Sequence, residues 1–143
     1  MTDDCMICER IALWRAGNNP YFIAELEHSI LVVGDHQYHR GYCVLLYKDH
    51  VRDLHNLPAD AQIGVFRDLM TTTNAVVKTF QPDKMNHASF GNVVPHIHWH
   101  IIPRYEADPH FLDEPFAHGA EFAQHTTSAE TARSIAAEVR AHL

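Results

Sequence analysis

The segment Pro95-His96-Ile97-His98-Trp99-His100-Ile101-Ile102-Pro103 constrains the fold more than any other part of the chain. Imidazole and large apolar side chains alternate along it with a period of two. An extended strand sorts that pattern, placing His96, His98 and His100 on one face and Ile97, Trp99 and Ile101 on the other, against a core. Same-face neighbours then stand roughly 6–7 Å apart. A row of three imidazoles is a demanding structural choice, because each buried ring needs partners for its nitrogens. Three readings stand. The row holds a catalytic metal, or its central member is a nucleophile whose neighbours orient it and bind phosphate oxygens, or it is a solvated polar sheet face.

The elements around this strand follow from hydrophobic spacing. Residues 4–16 carry Ile7, Ile11 and Trp14 near a 3.6-residue period and end at Gly17-Asn18-Asn19-Pro20, which predicts a helix. Residues 21–26, 29–33 and 41–47 read as strands, the last so apolar that it belongs in the middle of a sheet. Pro58 opens a long helix, about 58–80, with Ile63, Phe66, Met70 and Val77 as its apolar stripe. Residues 84–90 and 96–103 are two further strands. Residues 105–126 are irregular, and Thr127-Ser128-Ala129-Glu130 reads as a capping box for a last helix, 128–142. Strands, a helix, then more strands give an α+β fold: a meander-like antiparallel sheet of about five strands with two main helices.

A chain of 143 residues with 46% apolar residues suits one domain with one core. No window approaches the roughly 20 apolar residues of a membrane span. The start, MTDDCMICER, lacks a basic stretch followed by an apolar run, so no signal peptide and a cytoplasmic location are expected. A net charge of −7 argues against broad nucleic-acid binding, which needs a basic surface. It leaves room for one anionic ligand in a local pocket. Most of the 13 histidines need no special role. His110, His118, His125 and His142 lie in polar segments and read as solvated; His36, His39, His55 and His87 read mostly as surface residues. Of three cysteines, Cys43 sits in an apolar strand as a small hydrophobe, while Cys5-Met6-Ile7-Cys8 is a metal half-site or a redox pair.

His96 to Ile102 matches His-φ-His-φ-His-φ-φ, and the chain thereby resembles the histidine triad (HIT) family. Gly91-Asn92-Val93-Val94-Pro95 before the motif and Pro103-Arg104-Tyr105 after it resemble the family too. So do Gly34-Asp35-His36-Gln37-Tyr38, Gly41-Tyr42, Lys48-Asp49-His50 and Pro82-Asp83-Lys84-Met85-Asn86. The likeness spans about residues 5–105, leaving 106–143 as a C-terminal tail and helix, and is nearest to the bacterial diadenosine-polyphosphate-hydrolase-like branch.

The resemblance implies a HIT-like fold in a single domain, 1–143, and a nucleotide hydrolase or transferase. His98 would attack the α-phosphorus of a purine nucleotide conjugate, a dinucleoside polyphosphate or a nucleoside phosphoramidate. A covalent nucleotidyl-histidine would form and then break down. His100 and Asn92 would contact phosphate oxygens, Asp35 the ribose hydroxyls, and Asn86 the sugar or phosphate. In zinc-containing members the ligand positions match Cys5, Cys8, His50 and His96 here, a structural Zn2+ site; no organic cofactor is implied. A homodimer is implied as well, joined through the long helix and a strand edge. Two competing functions remain: a nucleotide-sensing module with vestigial catalysis, and a metalloenzyme with zinc on His96, His98 and His100.

Overall fold

Short strands, the central ones apolar on both faces, pair into a five-stranded antiparallel sheet in the computed structural model, which describes residues 4–143. The first three residues of the N-terminal segment assessed for a leader lie outside the described residues. The strands are β1 (Phe22–Glu25), β2 (Ser29–Val33), β3 (Cys43–Tyr47), β4 (Lys84–Ala88) and β5 (His98–Arg104), and their spatial order is β1-β2-β3-β5-β4. Only the first three form a meander. After β3 the long helix carries the chain past its neighbour to the far edge, and β5 then returns between β3 and β4, so the sheet is not the simple meander expected. The all-apolar β3 is central, as its composition requires.

Among the described residues, three α-helices cover the sheet: α1 (Met6–Arg15), α2 (Ala59–Phe80) and α3 (Ala129–Arg140). Odd-numbered residues Leu31, Cys43, Leu45 and Ile101 pack against α2 and α3, through Leu69, Val76, Ala132 and Val139 among others. Even-numbered Ile30, Val32 and Leu46 pack against Ile7 and Ile11 of α1. The central strands are thus buried on both faces, and the even face is where α1 meets the histidines.

Four expectations need correction. The ladder of β5 starts at His98 and ends at Arg104, rather than spanning 96–103. The side-chain alternation nevertheless runs back through Ile97, which packs with Tyr47 and Val65, and His96, which points toward α1. In α2 the stripe Ile63, Phe66 and Val77 faces outward, at 56%, 58% and 37% exposure, and only Met70 packs partly against the core. The buried face is instead Ala61, Gly64, Val65, Leu69, Thr72, Val76 and Phe80. Both stripes satisfy a helical period, and the sheet takes the one with smaller side chains. A Cβ at Gly64 would overlap the His28 ring, so the side chain from the β1–β2 turn lies directly on the helix there. The polar members are satisfied internally: Thr72 Oγ1 donates to the Asp68 carbonyl, and the Asp68 carboxylate accepts from the His28 backbone N–H.

The cap of α3 sits one residue later than the capping box predicted. Ser128 Oγ accepts from the Thr131 backbone N–H, because the Thr127 hydroxyl is buried and donates to the Gly34 carbonyl. Finally, His36 and His39 are not surface residues. His39 is buried and hydrogen-bonded to the Pro115 carbonyl, and the His36 ring stacks on Phe122 with centroids 3.9 Å apart. Both pack beneath the tail, whose course the sequence left irregular. His87, though exposed, bonds to Thr73, and His55 is exposed.

Candidate active site

Strand β5 carries His98 and His100 side by side on the even face, with ring centroids 5.0 Å apart. Each ring is fixed through Nδ1. His98 Nδ1–H donates to the backbone carbonyl of His96 at 2.6 Å, which leaves Nε2 as the atom with a free lone pair in the neutral ring. His100 Nδ1 lies 2.6 Å from the Tyr42 hydroxyl. Burial lowers the His100 pKa to about 4, so the ring is neutral at pH 7. Burial also pushes the Tyr42 phenol well up, so its O–H stays protonated and donates. With Nδ1 accepting, the proton of His100 sits on Nε2, where it becomes a hydrogen-bond donor. One neighbouring ring therefore offers a lone pair and the other an N–H.

Two hollows meet at this pair. The smaller, about 150 Å³, has an apolar floor of Ile7, Val32, Val44 and Leu46, with Arg10, Asp35 and Tyr42 around it. Arg10 and Asp35 form an ion pair at 2.7 Å, and the Asp35 side chain is 57% exposed. The larger hollow, about 490 Å³, is lined by the Phe90–Val94 loop, Glu114 and Phe116. Gly91 in that loop has φ +76°, a left-handed conformation that suits glycine. Phe116 reaches in from the tail, its ring centroid 5.0 Å from that of His100. The Ser89 hydroxyl donates to the His98 carbonyl and ties the loop to β5.

The candidate residues named from the sequence divide accordingly. Asp35 and Asn92 line the two hollows that share His98 and His100. Asn86 does not join them. It lies on β4 over an adjoining hollow of about 830 Å³, with Lys84, Arg104 and residues 111–116. Its Oδ1 accepts from Arg104 Nη1, and Arg104 Nη2 donates to the carbonyls of His110, Phe111 and Asp113. Sequence reasoning missed Arg10, Glu114 and Phe116. Tyr42 figured only as part of a matched segment, without a role. No local pattern marks any of them, since their proximity to the histidines comes from tertiary packing of α1 and the tail.

The row of three is not one open surface. His96 is 1% exposed, and its ring nitrogens are both engaged away from His98. Its Nε2–H donates to the Tyr47 carbonyl at 2.8 Å, so Nδ1 carries the lone pair. That Nδ1 lies 3.6 Å from the Sγ atoms of both Cys5 and Cys8, and His50 Nδ1 is 3.3 Å from Cys8 Sγ. The ligand atoms of Cys5, Cys8, His50 and His96 all lie within 4.8 Å of one another. Zn–S bonds of about 2.3 Å and Zn–N bonds of about 2.0 Å at tetrahedral angles give S···N edges of about 3.5 Å. The donor set and its spacing therefore fit a closed zinc site. Burial raises the Cys8 pKa and lowers that of His96. The first resists thiolate formation without a cation, and the second keeps imidazole neutral, as a ligand must be.

The HIT domain family model matches residues 17–107. The chain is 26% identical over 114 residues to the adenylylsulfatase HINT3 of Arabidopsis thaliana, covering 76% of this chain and 56% of that protein. It thus spans about half the length of this plant relative. Among solved structures, a Hit-like protein involved in cell-cycle regulation from Bartonella henselae superposes with a TM-score of 0.75. Its identity is 21%, and 99% of this chain and 98% of that one are covered. A zinc-bound histidine triad family protein from Mycobacterium smegmatis gives a TM-score of 0.64 at 20% identity, covering 96% of each chain.

Proposed function

Because the chain belongs to the HIT domain family, and with it to nucleotide-binding hydrolases and transferases, we propose that it cleaves purine nucleotide conjugates at the α-phosphate through a covalent nucleotidyl intermediate on His98. The observation that carries this reading is the His98 ring, fixed by Nδ1–H to the His96 carbonyl with Nε2 free where two hollows meet. Nε2 attacks the α-phosphorus and the bond to the leaving group breaks, with a proton delivered to that group from water or a neighbouring donor. Water then attacks the phosphoramidate, the P–N bond breaks, and the nucleoside monophosphate departs. A neutral imidazole is an adequate nucleophile at pH 7. His100 Nε2–H and Asn92 supply donors to the phosphoryl oxygens as charge redistributes.

The base lies on the apolar floor of the smaller hollow, and Asp35 accepts from the ribose hydroxyls beside Arg10. The leaving group occupies the larger hollow. Among its lining residues there is no lysine or arginine, and Glu114 adds an anion beside the aromatic rings of Phe90 and Phe116. A long polyphosphate tail finds no cation there, whereas an amine leaving group meets a carboxylate and two rings. We therefore favour a nucleoside phosphoramidate over a dinucleoside polyphosphate. The plant relative's name, adenylylsulfatase, supports chemistry on an adenylyl conjugate in general. Cys5, Cys8, His50 and His96 would hold a structural zinc ion, which fastens α1 to the sheet and fixes His96, the residue whose carbonyl orients His98. All four positions would be protein ligands, so the ion activates no water. The outward stripe Ile63, Phe66 and Val77 supports a homodimer through α2.

The test is product release from a panel of adenosine conjugates. His98→Ala should lose release of the nucleoside monophosphate while retaining nucleotide affinity, and wild type should turn over phosphoramidates faster than dinucleoside polyphosphates. Turnover unchanged in His98→Ala would refute the nucleophile assignment.

A further inference from the structure

Outside the triad site, the tail brings together His110, Asp113 and His118, two histidines that the sequence read as merely solvated. We propose that these three side chains form a second metal site, for a divalent first-row transition-metal ion. His110 Nδ1 and His118 Nε2 stand 3.2 and 2.8 Å from the same Asp113 Oδ2, and the two rings face each other with centroids 3.8 Å apart. The three ligand atoms all lie within 4.8 Å of one another. Metal–ligand bonds of about 2.0–2.1 Å imply ligand–ligand edges of about 2.9 Å in an octahedron and about 3.3 Å in a tetrahedron. The observed N···O separations, 2.8 and 3.2 Å, fall close to these edges.

The segment is held in place before any ion arrives. Arg104, 2% exposed, donates from one guanidinium nitrogen to the carbonyls of His110, Phe111 and Asp113 at 2.9, 3.2 and 3.0 Å. His39 bonds the Pro115 carbonyl at 2.8 Å. Little ordering is left for the ion to impose. Two imidazoles and a carboxylate select borderline transition metals over Mg2+ or Ca2+. The side chains of His110, Asp113 and His118 are 40%, 49% and 26% exposed, which leaves an entry path and room for water on the remaining positions. The same segment carries Glu114 and Phe116, which wall the larger hollow, so an ion here would stiffen that wall.

Titration calorimetry of the metal-stripped full chain with Zn2+ and with Ni2+ tests the site. Wild type should bind one equivalent more than Asp113→Asn or His118→Gln, or bind it at least about tenfold more tightly, and the variants should keep the metal of the cysteine cluster. Equal stoichiometry and affinity in all three proteins would reduce the trio to a hydrogen-bonded His–Asp–His group and overturn the proposal. Anomalous diffraction from wild-type crystals grown with Zn2+ gives a second measurement that needs no variant. A peak bonded to all three side chains supports the site, and its absence with the cysteine cluster occupied overturns it.

Discussion

The Tyr42 hydroxyl sets which nitrogen of His100 carries a proton, and with it what that ring can offer a phosphate. With the phenol donating to Nδ1 at 2.6 Å, His100 presents Nε2–H. Tyr42→Phe frees the ring to exchange tautomers and removes one buried hydrogen bond of about 1–1.5 kcal/mol. The expected result is a kcat about tenfold lower with nucleotide affinity nearly unchanged, because the ring still fills its space. Steady-state kinetics with a phosphoramidate substrate measure the split; an unchanged kcat would show that His100 needs no such positioning. Legibility at this scale was uneven. Alternation in residues 95–103 exposed His96, His98 and His100 directly, because side-chain direction in an extended chain is a local property. Tyr42, Arg10 and Phe116 were not legible as site residues, since nothing within their own segments reports the partner across the sheet.

Elements follow local periodicity, and their ends follow individual side chains. Helix α3 starts where the Ser128 hydroxyl can accept from the Thr131 N–H, and the neighbouring Thr127 is unavailable because it is drawn into the Gly34 carbonyl. Ser128→Ala should lower unfolding stability by about 1 kcal/mol. Chemical denaturation checks this, and a loss close to zero would mean that tertiary contacts alone hold the helix start. The sequence located every strand to within a few residues but mistook the face of α2. Two stripes share the helical period there, and the larger side chains drew the assignment. Burial went to Ala61, Val65, Leu69 and Val76, whose stripe includes Gly64, where the His28 ring rests on the helix. The order β3-β5-β4 was equally hidden, as strand neighbours across a long helical crossover leave no trace in local spacing.

Across the molecule, one sheet separates two tasks. Helices α2 and α3 build the large core on its odd face, while α1, the histidines and the tail assemble the site on its even face. The outward residues of α2 belong to neither. Wild type should sediment as a dimer at micromolar concentration, and Phe66→Asp should shift it to monomer without loss of helical content. A wild-type protein that stays monomeric at about a hundred micromolar would remove the dimer from the account. The proposed reaction rests on a bond between His98 Nε2 and phosphorus. Rapid quenching of enzyme mixed with excess adenosine phosphoramidate, followed by peptide mass spectrometry, looks for that bond. The account predicts one adenylyl group per chain on the peptide containing His98, formed within a turnover and absent from His98→Ala. Product formed at full rate with no such adduct, or an adduct on another residue, would contradict it.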